Sequence, residues 1–151
     1  MRTLATNRKA RHLYNIESTI ESGIVLIGCE VKSVKASKIS LVDSYARIDD
    51  GEVFLFNLHI SPYDKIDHFT QYKTQRRRKL LLKKAEIRKL TGKLQEKGYT
   101  LVPLRIYVTD RGIVKVELGL ARGKKKFEKR QVIKERDMKR ELERERKGIK
   151  R

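Results

Sequence analysis

Histidine and cysteine, the side chains that most often hold metals or serve as base and nucleophile, are few in this chain and far apart. Among 151 residues there are three histidines, His12, His59 and His68, and one cysteine, Cys29. None sits in an HxH, HExxH or CxxC spacing that would gather metal ligands. "GLARGKKK" lacks the Walker spacing and the Ser/Thr after its lysine, and no GxSxG elbow occurs. Most acids are interleaved with lysine and arginine, the pattern of a solvated, ion-paired face. The chain therefore reads as a non-enzyme with no metal and no cofactor.

What it has in abundance is positive charge. Lys and Arg number 38 against 19 acids, a net +19, with a pI near 10.2. So much charge on a 17.7 kDa protein implies a polyanionic partner, nucleic acid before an anionic membrane surface. Three concentrations stand out: Arg8, Lys9 and Arg11 with His12; Arg76, Arg77, Arg78 and Lys79 with Lys83 and Lys84; Lys124, Lys125 and Lys126 with Lys129 and Arg130. Each cation placed on a phosphate releases condensed counterion, so clusters on one surface give strong, salt-dependent binding. With no Trp, six Tyr and four Phe, recognition of folded RNA through backbone and shape is favoured over a base-stacking platform. No apolar run approaches the roughly 20 residues of a spanning helix, and the N-terminus has no apolar signal segment. One cysteine allows no intramolecular disulfide, which suits a reducing cytoplasm. Cys29 itself reads as a small buried strand residue.

These residues need a scaffold, and the periodicities suggest one. Asn7 is placed to cap a short helical turn carrying Arg8 to Arg11. "YNIESTI" alternates, Glu21-Ser22-Gly23 marks a turn, and "GIVLIGCEVKSV" reads as a long strand. "SLVDSYARI" and "EVFLFNLHI", joined by Asp49-Asp50-Gly51, predict a hairpin. Residues 61–75, with Pro62, read as a surface loop. "RRRKLLLKKAEIRKLTGKLQEKG" predicts a helix through Ile87, Leu90 and Leu94, closed by Gly98. "YTLVPLRIYV" and "IVKVELGLA" form a second hairpin about Asp110-Arg111-Gly112, with Val114, Val116, Leu118 and Leu120 on one face and an edge or bulge at Pro103. About six strands with an inserted helix predict a mainly β, oligonucleotide-binding (OB)-type closed barrel rather than an open split α+β sheet. The barrel is assigned to residues 1–121 and a basic tail to 122–151.

"NRKARHLYNI", "ESGIVLIGCEVKSV", "SYARIDDGEVFLFNLHISPY", "RRRKLLLKKAEI", "KGYTLVPLRIYV" and "LGLARGKKKFEKR" follow one another in an order that resembles the SmpB family, the tmRNA-binding (SsrA-binding) proteins of bacterial trans-translation. The resemblance runs from about Thr6 into the tail. It implies an OB-type barrel with added helices and a tail disordered in free solution. It implies an RNA-binding adaptor, not an enzyme, that binds the tRNA-like domain of tmRNA, supports its aminoacylation, and delivers it with elongation factor Tu and GTP to stalled ribosomes. The tail then enters the empty mRNA channel as a helix, beside small-subunit rRNA. The alternative function is a ribosomal protein or a general single-stranded-RNA binder on the same barrel.

By the same resemblance, RNA contact is assigned to Glu21 and Gly23 of "ESG", Glu30 and Lys32 of "EVKS", Asn57, and Leu81 of "KLLL". Asn7, Arg8, Lys9, Arg11, Arg76, Arg78, Lys79 and Lys83 join them. For Glu30 and Lys32 a structural role in the barrel competes. His12 is expected near the decoding centre, together with Gly123, Lys124, Lys125, Lys126, Phe127, Lys129, Arg130, Lys134 and Arg136. Lys73-Thr74 replace the family's Asp-Pro before Arg76, and Lys83 replaces its His or Asn. Gly123 is expected to hinge the tail. From Arg122 onward there are 15 Lys/Arg and six acids, too little apolar surface to order alone. Met138 and Leu142, at i,i+4, mark a segment able to become a basic helix once phosphates neutralise it. Self-repulsion of this charge favours a monomer.

Overall fold

In the computed structural model, residues 1–62 and 74–123 and the backbone of 126–149 are described; side chains of the last segment are described from 134 to 147. The elements run β1 (Arg2–Thr6), α1 (Ala10–Leu13), β2 (Tyr14–Ile24), α2 (Gly28–Lys35), β3 (Ile39–Ser40), β4 (Tyr45–Asp49), β5 (Glu52–Phe56), β6 (His59–Ile60), β7 (Arg78–Leu81), α3 (Lys84–Leu94), β8 (Tyr99–Val108), β9 (Val114–Gly123) and α4 (Lys126–Ile149).

The sheet order β8-β4-β5-β7-β2-β9 closes because β9 pairs back onto β8; β1 lies along β8, and β3 and β6 form a separate pair. A six-stranded ring of this kind leaves few free strand edges. Its inside is filled by alternating residues: Val53 and Leu55 of β5, Leu80 of β7, Leu101 and Ile106 of β8, Val116 and Leu118 of β9, all at 1% exposure or less. The hairpins behave as their turns dictate. Asp50 and Gly51 both have positive φ, 49° and 74°, as a two-residue type I′ turn requires. The β8–β9 register slips between Pro103 and Arg105, the irregularity the proline demands.

Three sequence expectations fail, each where tertiary pairing overrides local pattern. Glu21-Ser22-Gly23 is not a turn but the continuation of β2, held by β9 along its length. "GIVLIGCEVKSV" is not one strand: after Ile24 the chain leaves the sheet and coils into α2. There Glu30 reaches back to accept from the Ile27 N–H at 3.0 Å, half of a capping box. Glu30, Ser33 and Val34 form the buried face, an i, i+3, i+4 period hidden by the β-branched run before it. Cys29 therefore lies on a helix, half-buried. Finally, residues 78–81 belong to β7, taken up by β2 and β5. The helix starts only at Lys84, where Glu86 accepts from the Lys83 N–H at 3.0 Å. The expected loop at 61–75 lies mostly outside the described residues. The tail, expected to be disordered alone or an induced basic helix, is a helix over Lys126–Ile149.

Candidate nucleic-acid interface

Asn7 fixes the first basic locus. Its side-chain amide donates to the Pro103 carbonyl at 2.9 Å, and its oxygen accepts from the Ala10 N–H at 3.3 Å. Asn7 thus satisfies the first N–H of α1, whose N-cap position is Lys9, and staples the helix to the bulge in β8. Arg8, Lys9 and Arg11 are left exposed. His12, half-buried, faces α4. A cleft of about 530 Å³ between the two helices is lined by Arg8, Lys9, His12, Arg136, Lys139 and Arg140, with Glu143 the one acid. The N-terminal cations and the tail helix thus share one surface, although they are more than 120 residues apart. Lys134 is exposed on the same helix. Gly123 ends β9, paired with Tyr14, three residues before α4 begins at Lys126. Lys124 and Lys125, and the side chains of Lys126, Phe127, Lys129 and Arg130, lie outside the described residues, as does His68.

The second locus divides into an interior and an exterior. In β7 the pleat turns Arg78 and Leu80 inward and Lys79 and Leu81 outward, so Arg78 occupies a core position. It is fully buried. Its Nε donates to Glu30 Oε2 at 2.6 Å, with Nη2 at 2.5 Å from the same oxygen. The remaining donors reach the Leu58, Arg76 and Thr74 carbonyls at 2.6, 3.0 and 3.1 Å. Arg76, partly exposed, pairs with Glu30 Oε1. Glu30 is itself fully buried. α2 is therefore locked to β7 by a carboxylate shared between two guanidiniums, a geometry that satisfies the Glu30 and Arg78 charges out of water. Glu30 and Arg78, assigned to RNA contact, are sealed inside and act by holding the wall in place. Lys32 is on the exposed side of α2, and Lys79 is exposed, 3.0 Å from Glu52 Oε1.

Gly23 pairs with Leu81 of β7 and Lys115 of β9, and a Cβ there would lie 3.2 Å from Leu81 Cβ. The glycine lets β7 approach, and Leu81 stays 52% exposed. Glu21 accepts from the Tyr107 hydroxyl and lies 3.5 Å from Lys115 Nζ. The hydroxyl and then the lysine hold its carboxyl below the usual range, while burial and Glu21 push Tyr107 up to about 12. Asn57 adopts the left-handed φ of 60° and donates weakly to the Asp43 carbonyl at 3.5 Å. Lys83 is exposed just ahead of α3.

The sequence reading missed a row of planar groups on the outer face of β4, β5 and β7. Tyr45 stacks on Phe56 with centroids 5.3 Å apart and planes 12° off parallel. The Arg47 guanidinium lies 4.9 Å from the Phe56 centroid, and that of Arg77 4.4 Å from Phe54. Counting aromatics hid this, since strand pairing gathers three of the ten, Tyr45, Phe54 and Phe56, in one place. The signal was available in the alternation of "YARID" against "EVFLF". Among the described residues no three His, Cys, Asp or Glu come together as a metal site, and no helix is long and apolar enough to cross a membrane.

The chain matches the family model described as "SmpB protein" over residues 4–148. It is 56% identical to the SsrA-binding protein of Acetivibrio thermocellus, over 95% of this chain and 92% of that one. It is 52% identical to that of Coprothermobacter proteolyticus, over 96% and 97%. A chain in the solved structure "tmRNA-SmpB: a journey to the center of the bacterial ribosome" superposes with a TM-score of 0.67 at 53% identity, covering 81% of this chain and 85% of that one. With the family pattern extending from β1 through the barrel into α4, the chain belongs to the SmpB family.

Proposed function

We propose that this protein is the RNA-binding adaptor of trans-translation: it binds the tRNA-like domain of tmRNA, supports its aminoacylation, and brings it to ribosomes stalled without a codon. It performs no bond-making step itself. The observation that carries this reading is identity above 50% to SsrA-binding proteins over more than nine-tenths of both chains, on a barrel with two exposed basic loci. The barrel, residues 1–121, supplies the tmRNA surface through Arg8, Lys9, Arg11, Lys32, Lys79, Leu81 and Lys83, with Glu21 and Gly23 shaping the strand between them. The tail, residues 122–151, occupies the empty mRNA channel, with His12 beside it near the decoding centre. Elongation factor Tu with GTP is reached through tmRNA. The protein works as a monomer in the cytoplasm.

The test is competition at physiological salt between the tRNA-like domain, an ordinary tRNA and oligo-U. Preference for the tRNA-like domain supports the adaptor. Equal affinity for all three, or affinity rising with oligo-U length, contradicts it.

A further inference from the structure

Between the outer face of β4 and the end of α3 lies a cleft of about 390 Å³, a volume within the usual range for small-ligand sites, roughly 300–1,000 Å³. Its walls are unlike the other basic surfaces of the molecule. Two tyrosines, Tyr45 and Tyr99, face it with Arg47, Thr91, Gln95 and Thr100. Tyr45 is already one layer of a stack on Phe56, and at 38% exposure it has ring surface left for a further planar group. Tyr99 carries cations: Arg122 Cζ lies 4.5 Å and Lys93 Nζ 5.7 Å from its centroid. Gln95 is exposed, and its side-chain amide has no hydrogen-bond partner among the described residues.

We propose that this cleft takes one unstacked nucleobase of the bound RNA, layered on Tyr45 and read along its edge by Gln95, with Arg47 and Arg122 on the flanking phosphates. The inference rests on the RNA-binding reading and adds to it a site for a base, where the basic loci offer only phosphate contacts. A base has the flat face that the tyrosines match, and its edge carries donors and acceptors together, which an amide matches as a phosphate cannot. The flanking guanidiniums fit the charge that accompanies a nucleotide.

The full chain is cross-linked to a tRNA-like-domain transcript carrying 4-thiouridine, the linked peptides are mapped by mass spectrometry, and affinity is read by anisotropy. Cross-links are expected at Tyr45 or Tyr99. Tyr45→Ala and Tyr45→Leu are each expected to weaken binding about tenfold, the loss of one stacked base. Tyr45→Phe retains the ring and is expected to bind as the parent does; thermal melts of all three confirm the barrel. Parent-like affinity in Tyr45→Ala and Tyr45→Leu, with cross-links mapping elsewhere, overturns the base site and leaves the adaptor reading standing. A parent chain that does not bind the domain overturns both.

Discussion

Replacing Glu30 by alanine isolates the most consequential interaction in the barrel. The carboxylate and the Arg78 guanidinium are both fully buried, 2.5 Å apart, and Arg76 shares the same carboxylate. The substitution leaves Arg78 its three carbonyl acceptors but removes its counter-charge. Removing one partner of a sealed pair costs about 3–5 kcal/mol, because the surviving charge stays desolvated. The loss of the Ile27 cap adds about 1 kcal/mol. For a chain of this size each kcal/mol lowers Tm by about 2–4 °C, so a fall of about 8–24 °C is expected by circular dichroism. Glu30→Leu with Arg78→Met should recover much of it, since a buried pair replaced by apolar groups is often neutral. RNA affinity measured below the variant's Tm should fall only as far as α2 or β7 shifts. A Tm within about 2 °C of the parent, less than the 1 kcal/mol that corresponds to, would refute the reasoning by showing the pair to be hydrated.

Three further outcomes are expected. Gly119→Ala places a Cβ 3.1 Å from Leu104 Cδ1 and 3.2 Å from its Cγ. Leu104 is buried and must shift by a few tenths of an ångström to make room, so destabilisation of about 1–3 kcal/mol is expected in urea titrations. Tyr107 should titrate at about 12 by its ultraviolet absorbance. Because that value is raised, its contribution to stability holds below pH ~10 and is lost as pH rises through 12; Glu21→Gln should lower the midpoint without restoring 10, since burial remains. Glu21 has the opposite sign: its lowered carboxyl contributes above about pH 4.5 and the contribution disappears on acidification, which unfolding at pH 3 against pH 6 in parent and Glu21→Gln would show.

The barrel was legible wherever alternation and turn chemistry agreed. Asp50-Gly51 announced its hairpin, and Val114 to Leu120 their inward face. The pattern failed at the covering helix α2, because four apolar residues before it share the texture of a strand. It failed again at β7, because Arg78 occupies a core-facing slot where a hydrophobic residue would have shown the period of two. Its full burial and its place opposite Leu55 of β5 show that this arginine is inside. The candidate site divides along the same line. Charges exposed by the pleat, such as Lys79, and those flanking α1 could be found from composition. The Glu30–Arg78 seal depends on residues that meet only through long-range pairing, so no local spacing encodes it, whereas the Tyr45–Phe56 stack follows from the register of the predicted β4–β5 hairpin.

The central claim is a division of labour: a barrel that selects the RNA and a basic helix that acts on the ribosome. It is tested by a chain ended after Gly123, compared with the full chain in binding to the tRNA-like domain and in peptide tagging on ribosomes stalled without a codon. The truncated chain should fold and still prefer the tRNA-like domain to ordinary tRNA, with the loss of the α4 cations beside Arg8 and Lys9 lowering affinity more at low salt than at high salt, yet support no tagging. A folded truncation that loses the RNA, or one that still tags, would contradict the account.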